Sequence, residues 1–511
     1  MLNSRRLLNG DITYSAAKGC ESNILHELGY WDQKTRYFNH LYKNRELVQE
    51  IVVHHLNLPS ADACTIADPQ EWRHGSFNLC IPIDVRGHAA AQRVMIRFPL
   101  PYRVGEKTNP GNADEKIRCE AGTYAWLQEN CPDIPIPALY GFGLSSGKKF
   151  TVCDNLPFFT RMLFYIRRRF RRWLGRPLPS RYVPHPSRKP SPDGVSYLLM
   201  EYIHGNMLSE SWEAGRTDAH RRSNLFHGLS RIMLAAARIP LPRIGSFTID
   251  EHGFLQLNNR PLTLEIHDLE NQKIPVDIPR DLTYATADTY IHDVLAFHEN
   301  RLRAQPNAVH DVEDCLYQMS ALTAMRTVYP VMFRRELRAG PFYLSFTDLH
   351  QSNIFVDEEW NVKCLVDLEW TCSRPVELIH PPYWLANQPI DGIDVDEYQN
   401  VHEEFVNALA EEENKGVCGI VKDGSVPLHT TLRQGWERGT FWYALALDSP
   451  LGLFKLFYDY IQPRFAEEHL DDPAFFRIIM AYWEVDAMKF VQGKVKDREK
   501  YEKRLRKAFQ I

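Results

Sequence analysis

Residues 345–370 read SFTDLHQSNIFVDEEWNVKCLVDLEW, and this stretch carries the strongest information about the fold. Two apolar runs, residues 354–356 and 364–366, flank a polar segment centred on Trp360. Apolar runs on either side of a polar turn predict a β-hairpin. Asn353 and Asp367 are equidistant from the turn, so we expect them to face each other at its open end.

Three oxygen-bearing side chains would then converge on one small volume, because Asp348 lies on the loop that enters the hairpin. Two carboxylates about 6 Å apart repel each other by roughly 3 kcal/mol at an effective dielectric near 20. A divalent cation removes that cost, and Mg²⁺ prefers one or two carboxylates together with phosphate oxygens. The stretch therefore predicts a magnesium and phosphate site at Asp348, Asn353 and Asp367. The alternative is a surface hairpin with ordinary polar turn residues.

The composition is that of a globular enzyme with room for two or three structural units. Of the 511 residues, 44% are hydrophobic and 24% are charged, and the net charge is −5. That charge offers no general attraction to nucleic acid. The ten cysteines show no C-x-x-C or Cys/His spacing, which is typical of free thiols in a reducing compartment. We expect a cytoplasmic protein without a transmembrane segment, with mitochondrial import as the alternative.

The chain divides into three predicted regions. Residues 1–56 form an N-terminal extension that ends in one helix over residues 37–56. Residues 57–204 form a strand-rich unit, and residues 205–511 form a mainly helical unit that contains the 345–370 hairpin. In the strand-rich unit, residues 79–83 and 93–98 predict a hairpin. Gly75 and Ser76 precede it and could present backbone amides to phosphates, although a plain turn glycine is the alternative.

Arg97 and Glu120 form a second candidate pair. Arg97 ends the second strand of the 79–98 hairpin, where its guanidinium could grip phosphate oxygens; a surface arginine on an edge strand is the alternative. Glu120 lies on the otherwise apolar face of a helix predicted over residues 113–129, so it needs a partner. Arg97 would supply one, whereas Glu115 falls on another face of the helix.

A buried strand over residues 196–203 ends in Glu201, Tyr202 and Ile203 and is followed by Gly205. This sequence resembles the segment that connects the two lobes of kinases, where an apolar strand runs into a glycine and offers main-chain groups to adenine. We therefore expect Glu201, Tyr202 and Ile203 to contact a nucleotide. A plain core strand is the alternative.

An insertion at residues 150–195 contains a strongly basic helix, predicted over residues 156–174. An apolar stripe runs along it, formed by Phe159, Met162, Ile166, Phe170 and Trp173. Arginines cover much of the rest of its surface, namely Arg161, Arg167, Arg168, Arg169, Arg171 and Arg172. We favour packing of this helix on its own domain with a solvated basic face. Peripheral docking on a membrane surface, or binding of an acidic partner, is the alternative.

The Asp348-x-x-x-x-Asn353 motif, followed by the hairpin to Val366-Asp367-Leu368-Glu369-Trp370, resembles the aminoglycoside phosphotransferase family. That family has the kinase-like fold shared with choline kinases and related small-molecule kinases. The sequence of the hairpin and the run HPPYWL at residues 380–385 are similar to those of fungal members of the family. The resemblance covers roughly residues 70–390. Three departures stand out: Phe346-Thr347 replaces His-Gly, Arg97 replaces lysine, and Leu368-Glu369 replaces Phe-Gly.

The resemblance implies an α+β, bilobal protein-kinase-like fold, with a small strand-rich N-lobe and a larger, mainly helical C-lobe. It further implies that Asp348 is the catalytic base, that Asn353 and Asp367 bind Mg²⁺, and that Arg97 and Glu120 orient phosphates. The expected activity is transfer of the γ-phosphate of ATP to a hydroxyl of a small polar or amino-alcohol acceptor. The rival hypothesis is a kinase-like binding or scaffold protein with weak or no catalysis.

Overall fold

The computed structural model describes residues 4–88, 91–186, 194–416, 426–466 and 473–511, and combines β-strands with α-helices. The strands are β1 (Ser4–Leu7), β2 (Gly10–Thr13), β3 (Cys64–Ile66), β4 (Arg73–His74), β5 (Asn78–Val85), β6 (Arg93–Pro99), β7 (Leu139–Gly143), β8 (Lys149–Val152), β9 (Tyr182–Pro184), β10 (Tyr197–Glu201), β11 (Asn206–Met207), β12 (Ser246–Ile249), β13 (Leu255–Asn259), β14 (Phe342–Phe346), β15 (Ile354–Val356), β16 (Val362–Leu365) and β17 (Thr371–Pro375). The helices are α1 (Tyr14–Gly19), α2 (Ile24–Glu27), α3 (Tyr30–Lys43), α4 (Arg45–Leu56), α5 (Asn112–Asn130), α6 (Phe158–Trp173), α7 (Leu208–Gly215), α8 (Ala219–Ala237), α9 (Leu264–Asn271), α10 (Ala287–Ala304), α11 (Val312–Met332), α12 (Val395–Asn414), α13 (Leu428–Arg438), α14 (Thr440–Leu447), α15 (Leu453–Leu456), α16 (Pro463–Ala466), α17 (Pro473–Trp483) and α18 (Ala487–Phe509).

The largest sheet is antiparallel and lies in the first half of the chain. Its strands follow the order β3-β5-β6-β10-β7-β8-β9, and β4 pairs with β5. The expected hairpin of β5 and β6 is confirmed, with Cys80 opposite Arg97. Leu79, Ile81 and Ile83 alternate along β5 and are buried, because successive side chains of a strand point to opposite faces. They pack in one core with α4.

The helix expected over residues 37–56 is instead two helices, α3 and α4, which meet at Asn44. The Asn44 side chain donates a hydrogen bond to the carbonyl of His40 at 2.8 Å. Asparagine side chains compete with the helical backbone for such carbonyls, so this residue ends α3.

Helix α5 joins the large sheet to the second half of the chain. It crosses β12 at Gly122, where a Cβ atom would lie 2.4 Å from the carbonyl oxygen of Phe247. Only glycine permits this approach, and Trp126, one turn further along α5, stacks on the Phe247 ring at 5.6 Å. The second half is mainly helical, and its small sheets pair β14 with β17 and β15 with both β11 and β16.

Helix α6 forms where the sequence predicts it, but the expected packing of its apolar stripe on the chain's own core is wrong. The five stripe residues are exposed, and Phe164 is the buried residue of this helix. Residues 187–193 of the predicted insertion lie outside the described residues. Within the described ranges, no helix is both long enough and apolar enough to cross a bilayer.

Candidate functional site

The loop after β14 is fixed to the segment that precedes β17. The Thr347 hydroxyl donates to the carbonyl of Trp370, and the backbone of β14 pairs with that of β17. On the other side, the indole N–H of Trp384 donates to the carbonyl of Leu349 at 2.7 Å. Asp348 is therefore held between two anchored neighbours, and its side chain is half-buried.

The hairpin expected after this loop is confirmed, because β15 and β16 pair antiparallel around Trp360. Its register is shifted by one residue from the expected one. The backbone N–H of Val366, not of Asp367, bonds to the carbonyl of Asn353 at 3.0 Å. The cause is the position of the turn, which is centred on Glu359 because Val356 pairs with Val362. An irregularity between Phe355 and Val356 then moves the pairing one residue back towards the expected register, so that Ile354 pairs with Leu365.

Asn353 and Asp348 are joined directly. The Asn353 amide nitrogen donates to the main-chain carbonyl of Asp348 at 2.9 Å, so the amide oxygen is left to accept. Ser352 is its closest donor, at 3.4 Å. An amide oxygen presented beside a carboxylate is a suitable ligand for a hard cation.

Asp367 lies at the start of the turn between β16 and β17 with φ at +59°, the left-handed region. A non-glycine residue adopts this conformation only where its surroundings fix it. Here the Asp367 carboxylate contacts the Arg97 guanidinium at 2.7 Å, while 38% of its side chain remains exposed. One oxygen of this carboxylate is therefore held by Arg97, while part of the side chain remains accessible to solvent.

Arg97 is buried in β6 and is the centre of a charged cluster. Its guanidinium contacts Glu120 at 2.7 Å and Glu369 at 2.9 Å, besides Asp367. The expected pair of Arg97 with Glu120 is thus present. Glu115 bonds elsewhere, to Arg260 at 2.8 Å.

The cluster also contains three residues that were not predicted from the sequence: Lys116, Asn78 and Glu369. The Lys116 ammonium contacts Glu369 at 3.1 Å and the side-chain oxygen of Asn78 at 2.7 Å, and all three residues are buried. Asn78 in turn donates to Glu369 at 2.8 Å. One signal could have found Lys116: it precedes Glu120 by four residues, so both share one helix face.

The acidic residues of the cluster outnumber its cations. Arg97 and Lys116 face the three acids Glu120, Asp367 and Glu369. Burial raises the pKa of Glu120 to about 8, so this carboxyl holds a proton at neutral pH and the two cations face two carboxylates. Burial, and after it the carboxylates of Glu369 and Asp367, raises the pKa of Asp348 to about 7. This aspartate can therefore both hold and release a proton near neutral pH.

The donor set fits Mg²⁺. Asn353 could supply an amide oxygen, and Asp367 could supply its exposed carboxylate oxygen. Among the described residues, no group of three or more His, Cys, Asp or Glu side chains could hold a metal alone. A few protein ligands complemented by phosphate oxygens is the arrangement that Mg²⁺ prefers.

The predicted nucleotide-binding residues are not gathered into one open pocket. Gly75 and Ser76 form the turn between β4 and β5, and the following residue, Phe77, packs edge-on against Trp370 at 5.2 Å. The cavity that contains Asp348 and Asp367 has a volume of about 10 Å³, and its lining does not include Gly75, Ser76 or residues 201–203. A triphosphate would therefore require this region to open.

Glu201 ends β10 and is exposed, and Tyr202 and Ile203 follow the strand. The Glu201 carboxylate accepts a hydrogen bond from the backbone N–H of Ala138 at 3.0 Å, and the Arg93 guanidinium lies 4.7 Å from the centre of the Tyr202 ring. Ile203 is half-buried. The structure thus places this segment one strand away from Arg97, because β10 pairs with β6.

Comparison with known proteins gives a structural neighbour but no family. No family model matches the sequence, and no curated protein matches it. Among solved structures, the chain is similar to a macrolide 2'-phosphotransferase type I, with 10% sequence identity and a TM-score of 0.30 over 82% of this chain and 90% of that chain. A likeness of this size assigns neither a family nor an activity, so the chemistry has to be argued from the site itself.

Proposed function

We propose that the protein is an ATP-dependent phosphotransferase that acts on a hydroxyl group. The observation that carries the proposal is the convergence of Asp348, Asn353 and Asp367 next to the Arg97–Glu120 pair. A candidate base, two metal-ligand oxygens and a cation are the parts that phosphoryl transfer requires. The resemblance to the aminoglycoside phosphotransferase family rests on the same residues.

The proposed fold is bilobal and kinase-like. The large sheet and α5 would form the small N-lobe, and the helical remainder would form the C-lobe. Three features support this division: β6 carries Arg97, α5 carries Glu120, and the proposed metal ligands Asn353 and Asp367 flank the hairpin of β15 and β16 in the second half of the chain. A nucleotide would then lie between them, with its adenine near Glu201, Tyr202 and Ile203 and its phosphates below Gly75 and Ser76.

In the proposed reaction, Asp348 accepts the proton of the acceptor hydroxyl. Its raised pKa suits this task, because a base is most effective when its pKa lies near the working pH. Asn353 and Asp367 would hold Mg²⁺, which when bound neutralises phosphate charge. Arg97, positioned by Glu120, would orient the phosphates. Catalysis would rest mainly on positioning and charge neutralisation.

The acceptor would enter a cavity that shares Phe346 and Leu349 with the Asp348 cavity. Its lining is mainly apolar, with a polar corner of Asp448, Arg374 and His380. The Asp448 carboxylate is partly exposed and pairs with Arg374 at 2.6 Å. Because Arg374 donates to both oxygens of Asp448, this acid does not select an amine. The apolar wall with one polar corner supports a small polar or amino-alcohol acceptor without distinguishing the two.

The decisive test is consumption of ATP, with magnesium, across a panel of small alcohols and amino alcohols. We expect Asp348→Asn to lower turnover by about 10²–10⁴-fold, because the general base is lost. The wild-type rate should rise with pH through about 7, as Asp348 loses its proton. Glu358→Gln removes an exposed hairpin carboxylate outside the cluster and should leave the rate unchanged. An Asp348→Asn variant as fast as wild type would refute the proposal.

A second candidate, a kinase-like binding or scaffold protein with little catalysis, is favoured by one observation. Glu369 contacts both Arg97 and Lys116, where nucleotide phosphates would need those cations. Glu369→Gln should free them and raise the affinity for magnesium–ATP about tenfold, measured by calorimetry. The matched control is Glu377→Gln, which alters a buried carboxylate paired with Arg334. Wild-type protein that already binds magnesium–ATP as tightly as Glu369→Gln would remove this support for the scaffold.

A further inference from the structure

Helix α6 presents an apolar surface that its own domain does not cover. Phe164 is the residue of this helix that reaches the interior, where it packs with Cys153 and Leu156. The exposed apolar residues of the helix and its C-terminal end are Phe158, Phe159, Met162, Leu163, Tyr165, Ile166, Phe170, Trp173 and Leu174. Among them, Phe159 is 77% exposed and Trp173 is 78% exposed.

Polar contacts on one side fix the orientation of α6. The Tyr165 hydroxyl donates to Asp154 at 2.6 Å, Arg168 pairs with Glu129, and the Arg171 guanidinium donates to the carbonyl of Pro177 at 2.8 Å. Together with Phe164, these contacts define the side of the helix that faces the protein.

The apolar stripe lies on the opposite side. At roughly 100° per residue, Trp173 is about 180° from Phe164 around the helix axis, and Ile166 is about 160° away. The other stripe residues fall within about 60° of that direction, so the stripe points away from the protein body. Exposure of this size on one continuous surface marks an interaction site rather than scattered surface residues.

The charge of α6 identifies the class of partner. Residues 158–173 contain six arginines and no acidic residue, whereas the whole chain has a net charge of −5. Arg167 and Arg169 border the stripe on its two sides, and both are exposed, as is Arg172. None of these three arginines forms an ion pair with an acidic residue in the described ranges of the chain. The surface thus offers an apolar centre with a cationic border.

We propose that α6 docks the protein on an anionic membrane surface, lying in the plane of the interface. Aromatic and aliphatic residues on one face and arginines along its edges are the features of interfacial helices. A two-fold symmetric contact with a second copy of the chain would bring two arginine-rich helices together, which electrostatic repulsion opposes. An anionic lipid surface satisfies the apolar face and the arginines at the same time.

The test is flotation of the full chain with vesicles of phosphatidylcholine alone or mixed with phosphatidylglycerol. We expect binding to the mixed vesicles and its loss at high salt. Replacing Arg167, Arg169 and Arg172 together with glutamine should weaken partitioning roughly a hundredfold, about fivefold for each arginine. The double variant Phe170→Ser/Trp173→Ser should abolish binding. Because these five side chains are exposed, their loss should leave the melting temperature unchanged.

Val331→Ser is the matched control, since Val331 is an exposed apolar residue on the separate helix α11. It should bind mixed vesicles as wild type does. Two outcomes would overturn the proposal. One is a wild-type chain that remains with the free protein fraction in every vesicle preparation. The other is a dimer in solution that the Phe170→Ser/Trp173→Ser substitutions dissociate, which would make a second copy the occupant of the stripe.

Discussion

At the scale of single residues, the raised pKa of Asp348 lowers the free energy of unfolding at neutral pH. Its folded-state pKa of about 7 is above the roughly 3.9 of an unfolded aspartate, so folding takes up a proton between these values. The free energy of unfolding therefore falls as pH rises from about 4 to about 7. Asp348→Asn should remove this loss and stabilise the protein by about 1–2 kcal/mol at pH 8, allowing for the partial exposure of the group.

Chemical denaturation at about pH 5 and about pH 8 measures this effect. The variant and wild type should differ less at the lower pH, where the folded-state carboxyl is mostly protonated. Glu358→Gln, an exposed change, should stay within about 0.5 kcal/mol of wild type at both values. A gain in stability that does not depend on pH would show that Asp348 is not the titrating group.

Of the contacts that Arg97 makes, one is predictable from the sequence and another is not. The pairing of Arg97 with Glu120 follows from helix spacing, because an acid on an apolar helix face requires a cation. The position of Glu369 between Arg97 and Lys116 does not follow, because its partners are more than two hundred and fifty residues away in sequence. Only the packing of α5 against the segment before β17 brings them together. The roles of all these residues in catalysis stay predictions.

At the scale of elements, the hairpin of β15 and β16 depends on a glycine in a different element. Gly215 ends α7, and a Cβ atom there would lie 2.5 Å from the Trp360 ring. Trp360 is buried at the hairpin turn, stacked on Trp212 at 5.4 Å. Gly215→Ala should displace the ring and lower the free energy of unfolding by about 1–3 kcal/mol, measured by denaturant titration.

Gly493→Ala is the control for this substitution. Gly493 lies on the exposed side of α18 with no atom within 4 Å of its Cβ position, so alanine should stabilise the protein by about 0.5–1 kcal/mol. Equal effects of the two substitutions would mean that Trp360 does not restrict residue 215.

Element types were predictable where the pattern was local. The apolar runs around residue 360 predict the hairpin, and the stripe of α6 predicts that helix. The register of the hairpin was not predictable to the residue, because neither the centre of the turn at Glu359 nor the strand irregularity at Phe355 leaves a mark in the hydrophobic pattern. The break at Asn44 and the outward direction of the α6 stripe were also missed. Both features depend on contacts that cannot be predicted from the 3.6-residue spacing of apolar residues.

At the scale of the whole molecule, the first described segment and the last described helix share one core. Ala17 and Ile24 pack with Tyr501, Leu505 and Phe509 of α18. Hydrogen bonds reinforce this core: the Tyr501 hydroxyl accepts from the backbone N–H of Ile24 at 3.1 Å, and Arg498 donates to the carbonyl of Lys18 at 2.5 Å. Residues far apart in sequence thus stabilise each other, so a destabilising substitution in α18 should also destabilise the segment around Ile24.

Leu505→Ala should lower the free energy of unfolding by roughly 2–5 kcal/mol, because it leaves a cavity in this shared core. Tyr501→Phe should cost about 0.5–1.5 kcal/mol, since it removes one of the two acceptors of the Ile24 N–H and leaves the Ser22 carbonyl at 3.0 Å. In hydrogen exchange, both variants should lose protection at residues 14–28 as well as in α18. Lys503→Ala, on the exposed side of the same helix, should change neither. Loss of protection confined to α18 would show that the two segments fold independently, and the shared core would then contribute little to the stability of the first segment.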